Sequence, residues 1–285
     1  MLSKTVINCS RLPDPCSNSK SYQAAPVPFN ISMPRASRPD SVLLLGIDFG
    51  TTFSCAAWYI TDLAEASARI REGNFETAAI QVTPFGNAEQ VKSALIWSRD
   101  VKCPKTVGRW KWQPGFGNDP RKVNSADCFE LFKLGLDEEG YSSTITNQLK
   151  AQIKQLPSIA EVRSVDDLIA IYLEKLYKYS TDKINQSFVR SLGRKLTDTK
   201  TIRCILTIPV IWTYRMQSRM QRAASRAGLP NVRTVSEPEA GAIFVRYNEP
   251  ERLSSCQSSF IGTNQPFLLI DCGGGTMVYH TYSTC

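Results

Sequence analysis

The sequence predicts an α/β domain, and three observations lead there. From residue 42 onward, short apolar runs with the length of buried strands alternate with amphipathic helical stretches. Two of those runs end in an Asp followed by a turn of glycines and small polar residues. Hydrophobic residues make up 42% and charged residues 21% of 285, a globular composition with room for one large or two ordinary domains.

Residues 1–40 stand apart from this pattern. They hold six of the 16 prolines and no glycine, with five basic and two acidic side chains. Such a stretch cannot sustain a helix or strand through its prolines and reads as a disordered leader. It lacks the apolar core, roughly 7–15 residues long, of a secretory signal. A mitochondrial leader is the weaker alternative to a solvated tail.

Order begins at Val42-Leu43-Leu44-Leu45-Gly46-Ile47, a buried-strand pattern, and Asp48-Phe49-Gly50-Thr51-Thr52 supplies a turn into a second strand, Phe53 to Ile60. Residues 61–76 read as an irregular connection. Further strands are expected at Ala78–Val82 and Val91–Trp97. Residues 98–125 carry no clean period. There Trp110 and Trp112 alternate with Arg109 and Lys111, which suggests a packed loop ahead of a nucleic-acid surface.

A helix is predicted from Val165 to Tyr179, with Leu168, Ile169, Tyr172, Leu173 and Leu176 on one face and Ser164 as its cap. Ile202–Ile208 is an apolar strand ended by Pro209. A second helix covers Tyr214 to Ala227, with Met216, Met220, Ala223, Ala224 and Ala227 facing inward, and Gly228-Leu229-Pro230 stops it. Val232–Val235 is a brief strand. Ser236 and Glu239 form a capping box for a helix lined on one face by Ala240, Ile243, Phe244 and Tyr247. After a polar loop, 249–265, the strand Phe267–Ile270 runs into Asp271-Cys272-Gly273-Gly274-Gly275-Thr276, and a last strand comes next, from Met277 to Tyr282.

Composition removes several functions. The 34 Lys and Arg against 26 Asp and Glu leave a formal charge of +8, too diffuse to argue nucleic-acid binding without a recognition motif. The lone histidine, His280, excludes zinc sites built on two or three histidines. No GxSxG elbow is present to serve it in a hydrolase triad. Nine cysteines, an odd number with no CxxC pair, read as reduced thiols. Asn185-Gln186-Ser187 matches a glycosylation acceptor, but nothing else points to the secretory route. No apolar run is long enough to span a membrane.

The chemistry lies in the two turns. Each sits between two strands, which separates it from the Walker A loop and the dinucleotide fingerprint, both of which open a helix. Glycines let backbone N–H groups converge on phosphate oxygens. Asp48 and Asp271 can hold magnesium through its waters. The Thr hydroxyls can donate to terminal phosphate oxygens. Either turn alone is equally a tight hairpin; the pair together points to a clamp on a polyphosphate.

Leu45 to Ser54 resembles the first phosphate motif of the heat-shock 70 chaperone family, within the actin-like ATPase superfamily, and Leu269 to Thr276 resembles the second. Thr207-Ile208-Pro209 with the helix to Ala227 resembles the connecting segment. Ser236 to Ala242 resembles the family's Glu-Pro helix start. The resemblance runs from about residue 42 to 283 and is closest to the atypical members. It implies a ribonuclease H-like fold, here the first lobe and the beginning of the second, with residues 41–285 a partial nucleotide-binding domain.

Carried onto this sequence, the resemblance implies ATP and Mg²⁺ as ligands. Asp48 and Asp271 would organise the metal and its waters. Gly50, Thr51, Thr52, Gly273, Gly274, Gly275 and Thr276 would contact phosphates, with Thr276 at the γ-phosphate. Glu237 would position the attacking water. Lys133 would be the catalytic lysine, a surface helix lysine being the alternative. Val278 stands where the family has an acidic residue, which leaves slow or absent hydrolysis open.

The chain also reads as a truncated homologue, since the family continues past this point. Three functions are consistent with these features: an ATPase of the heat-shock 70 type, an inactive pseudo-ATPase acting as a binding or scaffold module, and a small-molecule kinase of the same superfamily. The expected partner is a nucleotide. Client proteins or co-chaperones enter only with a longer form, and neither nucleic acid nor membrane is expected. The expected location is cytoplasmic.

Overall fold

A computed structural model describes residues 41–71, 80–86, 88–99, 110–114, 128–138, 142–192, 201–248, 266–272 and 277–283. The chain divides into units at Met1–Ser32 and Met33–Cys285. The first unit, with the rest of the expected leader, lies outside the described residues, and the second unit holds every described element.

The central sheet grows from β1 (Val42–Phe49), whose alternation places Leu43, Leu45, Ile47 and Phe49 at 1% exposure or less while Asp48 is exposed. Its neighbour β2 (Phe53–Thr61) returns antiparallel, with Phe49 opposite Ser54. Beyond β2 lie two short antiparallel partners, β3 (Gln81–Val82) and β4 (Val91–Lys92). On the other side of β1, β8 (Thr201–Ile208) runs parallel, and β9 (Arg233–Ser236) runs parallel to β8. The order β3-β2-β1-β8-β9 makes a mixed sheet with one antiparallel and one parallel half.

A second sheet has the order β6-β5-β7, from β5 (Ala94–Arg99), β6 (Trp110–Pro114) and β7 (Cys128–Glu130). The expected strand over Val91–Trp97 therefore divides at Ser93 between two sheets. Part of the loop expected at 98–125 is the strand β6. A third pair, β10 (Pro266–Cys272) and β11 (Met277–Ser283), forms an antiparallel hairpin with Asp271 opposite Val278.

Five helices complete the described part: α1 (Leu63–Arg71), α2 (Ser143–Gln155), α3 (Val165–Leu192), α4 (Tyr214–Arg226) and α5 (Glu237–Asn248). The irregular connection expected at 61–76 contains α1, capped by Asp62 Oδ1, which accepts from the N–H groups of Ala64 and Glu65 at 2.8 and 3.1 Å.

The helix α3 is 28 residues long and continues well past the expected end at Tyr179. Ile184 and Phe188, each 1% exposed, extend its buried face at intervals of four, and Phe188 meets Trp58 edge-on at 5.6 Å. The polar run Ser180-Thr181-Asp182 hides this continuation in the sequence. Ser164 caps α3 as expected: its Oγ lies 2.8 Å from Asp167 Oδ2 and accepts from the Asp167 N–H at 3.3 Å. Asn185 lies within α3 and is buried, which removes it as a surface glycosylation acceptor.

The helix α4 buries Met220, Ala223 and Ala224, with Ala227 just past its end, while Met216 is half-buried. Thr213 caps it, accepting from the Met216 N–H at 3.4 Å. The expected capping box of α5 is present: Ser236 Oγ and Glu239 Oε2 lie 2.7 Å apart, and the Glu239 N–H donates to Ser236 Oγ at 3.3 Å. The apolar face expected there is only partly covered. Ala240 is half-buried, and Ile243 and Phe244 are more than half exposed. Among the described residues, no helix is long and apolar enough to cross a membrane.

Candidate functional site

In open α/β sheets, ligands gather outside the carboxyl ends of the parallel strands. Here those ends belong to β1, β8 and β9, and the residues there are Asp48, Thr207 and Glu237. The parallel register sets Ile47 beside Leu206, so the next step along both strands brings Asp48 to Thr207. The Thr207 hydroxyl donates to Asp48 Oδ1 at 2.7 Å. Glu237 comes directly after the last residue of β9 and opens α5, where a carboxylate is favoured by the helix dipole.

The turn after β1 is held tightly. A Cβ built on Gly50 would sit 2.2 Å from the Phe53 carbonyl oxygen, so no other residue fits without moving the hairpin. Ser93, the polar residue between β4 and β5, fastens the turn from beneath. Its Oγ donates to the Gly50 carbonyl at 2.8 Å, its N–H donates to the Thr52 carbonyl at 2.8 Å, and the Ser54 and Ser93 hydroxyls lie 2.7 Å apart. Thr51 and Thr52, half-buried, lie on this pinned turn.

The Tyr172 hydroxyl from α3 donates to the Lys92 carbonyl at 3.3 Å. Burial pushes its pKa up to about 12, against hydrogen bonding with Ser54 and Ser93. Cys55, beside Asp48 in the strand register, is likewise pushed up to about 11, by burial first and the Asp48 charge second. It is therefore a thiol at neutral pH and a poor nucleophile.

Lys133 is not a surface helix lysine. It belongs to a tight 3-10 turn, Phe132–Leu136, and its side chain is 5% exposed. Its ammonium donates to Glu237 Oε1 at 2.6 Å and lies 5.7 and 5.5 Å from the ring centres of Phe49 and Trp212. The turn is fixed from several sides. Leu131, just before it, adopts a left-handed backbone (φ 57°), costly for a branched side chain by about 1–2 kcal/mol. A Cβ on Gly135 would meet Val165 at 2.9 Å and Leu149 at 3.2 Å, so the turn seats closely on α2 and α3. Phe132 packs on Phe49 (5.8 Å) and Tyr172 (5.4 Å), joining the lysine's turn to the strand that carries Asp48.

Five of the residues named from the sequence thus lie at or next to one sheet end: Asp48, Gly50, Thr51, Thr52 and Glu237. Lys133 joins them through its ion pair with Glu237. Asp271 lies in the backbone of β10. Gly273, Gly274, Gly275 and Thr276 lie outside the described residues. Among the described residues no group of three or more His, Cys, Asp and Glu gathers to hold a metal. The hard oxygens of Asp48 suit magnesium held through its waters, and the glycine at position 50 lets the turn close against the Phe53 carbonyl.

Sequence reasoning missed Trp212, Ser93 and the role of Thr207. Ser93 had a signal, as the small polar residue interrupting an apolar run. Trp212 had none, because it sits in the irregular link between Pro209 and α4.

The fold and this site define a mixed α/β protein with a central sheet, broadly compatible with the actin-like ATPase type. No family model matches the chain. It is 25% identical over 245 residues to "Movement protein Hsp70h" of Beet yellows virus (isolate Ukraine), covering 82% of this chain and 35% of that protein. The likeness is a loose link at superfamily level, and the chain spans about a third of the length of that viral relative.

Proposed function

We propose that the chain is a nucleotide-binding module of the heat-shock 70-like type, on a ribonuclease H-like sheet, that holds Mg-ATP at the carboxyl ends of β1, β8 and β9. The observation that carries this reading is the ion pair of buried Lys133 with half-buried Glu237, at the same sheet end as Asp48 and the pinned Gly50 turn. A cation and a carboxylate at 2.6 Å, beside a glycine turn and an exposed Asp, suit a phosphoryl group and its attacking water. The similarity to a viral protein named for heat-shock 70 supports the same class.

In this reading the Gly50–Thr52 turn and the Gly273–Gly275 turn bind the phosphates from two sides, with Thr276 at the γ-phosphate. Asp48 and Asp271 would hold Mg²⁺, which when bound offsets phosphate charge. Glu237 orients the attacking water and accepts its proton. Lys133 donates to a γ-phosphate oxygen, where charge develops. Water excluded by Phe49 and Trp212 strengthens that contact.

A second reading keeps nucleotide binding without turnover. It is favoured by Val278, which pairs with Asp271 across the β10–β11 hairpin and offers neither a metal ligand nor a proton acceptor. Phosphate release from Mg-ATP, compared among wild type, Glu237→Gln and Lys133→Met, separates the two. Release that falls about 100-fold in both variants supports turnover at this site. Release at the variant level in the wild type, with retained binding, supports the second reading. Binding that ignores Asp48→Asn and Asp271→Asn sinks both.

A further inference from the structure

Arg219 is a buried cation with no part in the proposed phosphate site. It lies in the middle of α4, is 9% exposed, and bridges three elements. Its Nε donates to Asp166 Oδ1 at 3.0 Å and Oδ2 at 3.2 Å, and its Nη2 donates to Asp166 Oδ1 at 2.7 Å. Its remaining nitrogen, Nη1, donates to the Leu136 carbonyl at 3.1 Å and lies 3.2 Å from Glu138 Oε1. Asp166 is in the first turn of α3, and Leu136 is the last residue of the 3-10 turn that carries Lys133.

From this geometry we infer that Arg219 is a positioning residue for Lys133, an inference that rests on the reading of Lys133 as the cation facing the γ-phosphate. A guanidinium presents donors in a rigid fork, so one side chain fixes the end of the lysine's turn relative to the start of α3 and the middle of α4. The same helix α4 begins two residues after Trp212, whose ring lies 5.5 Å from the Lys133 ammonium. Arg219 therefore sets both the turn that carries the ammonium and the helix that comes after its aromatic cover. A lysine in its place could reach Asp166 or the Leu136 carbonyl, but not span both with directed bonds. The neighbouring ion pair between Arg226 and Asp167 also joins α4 to α3 but touches nothing in the turn, and so serves as an internal control.

The test uses the full chain labelled with ¹⁵N-lysine, with the slowly exchanging side-chain ammonium signals recorded and that of Lys133 identified by its loss in Lys133→Arg. The expected result is a Lys133 signal, displaced by the two rings, that is retained in Arg226→Ala and is shifted or lost in Arg219→Lys and Arg219→Ala. Arg219→Lys retains the charge beside Asp166, so its fold is retained, as far-ultraviolet circular dichroism would show. An unshifted Lys133 signal in folded Arg219→Lys overturns the inference, as does a wild type whose Lys133 ammonium exchanges like an exposed one.

This readout needs no nucleotide, so failure of ATP to bind overturns the proposed function and leaves the hold of Arg219 on the lysine's turn standing. Where turnover is present, Arg219→Lys lowers kcat by roughly 10- to 100-fold with KM within about twofold, the signature of a misplaced group that acts in the transition state. A kcat equal to wild type overturns the positioning role.

Discussion

Lys133 Nζ and Glu237 Oε1 lie 2.6 Å apart although 104 residues separate them in the chain. A pair this distant in sequence and this deep in the structure must be specified by both the 3-10 turn and the α5 start. Its energetics depend on its burial. Lys133→Met takes the cation away from the Glu237 carboxylate, itself 20% exposed, and costs about 3 kcal/mol. The double variant Lys133→Met, Glu237→Leu is less destabilised than the sum of the single changes, with a coupling of about 1–3 kcal/mol. Urea denaturation of the four proteins measures it, and additive losses contradict the pairing.

Gly50→Ala places a methyl group where the Phe53 carbonyl stands 2.2 Å away. The hairpin must open to accept it, at a cost of about 1–3 kcal/mol. Ser93 would then lose its bond to the Gly50 carbonyl. The expected outcome is a lower midpoint of thermal unfolding together with lost Mg-ATP affinity. A variant with wild-type affinity removes the Gly50 turn from the site.

Thr207→Val removes the hydroxyl that holds Asp48 Oδ1 at 2.7 Å. The site is exposed, so stability changes by no more than about 0.5 kcal/mol. The Asp48 carboxylate loses its orientation, and the magnesium dependence of nucleotide affinity weakens by about tenfold. Titrations at several magnesium concentrations check this.

Asp167 sets an acid limit on the α3–α4 contact. Burial alone would raise its pKa, but hydrogen bonds from Arg226, the Arg163 N–H and Ser164, with the Arg226 charge, outweigh burial and hold it below the ordinary 3.8. A carboxyl with a depressed pKa in the folded state contributes stability that is present above its unfolded value and is lost as pH falls through the folded value. Unfolding free energy should therefore decline below about pH 4, and more steeply in the wild type than in Asp167→Asn. Equal slopes contradict the assignment.

The sequence carried the strand β1, the hairpin to β2, the strand β8, the cap at Ser164 and the capping box at Ser236, because each rests on local pattern or a short-range bond. It made the positions of Asp48 and Gly50 at a strand end and its turn legible for the same reason, whereas Glu237 and Lys133 were named only through the family resemblance. It underestimated α3, because three polar residues in a row masked a buried face that tertiary packing continues through Ile184 and Phe188. It did not reveal Trp212 over Lys133 or Arg219 beneath the lysine's turn. Those contacts depend on how α3 and α4 dock, which no local period encodes. The division at Ser93 between two sheets escaped for a related reason: an apolar run does not say how many sheets it serves.

The most direct test of the account is a calorimetric titration of Mg-ATP into the folded 285-residue chain, beside Asp48→Asn. The account predicts saturable binding to the wild type that requires magnesium and is lost in Asp48→Asn. A folded wild-type chain that gives no saturable binding, or one that Asp48→Asn leaves unchanged, contradicts it.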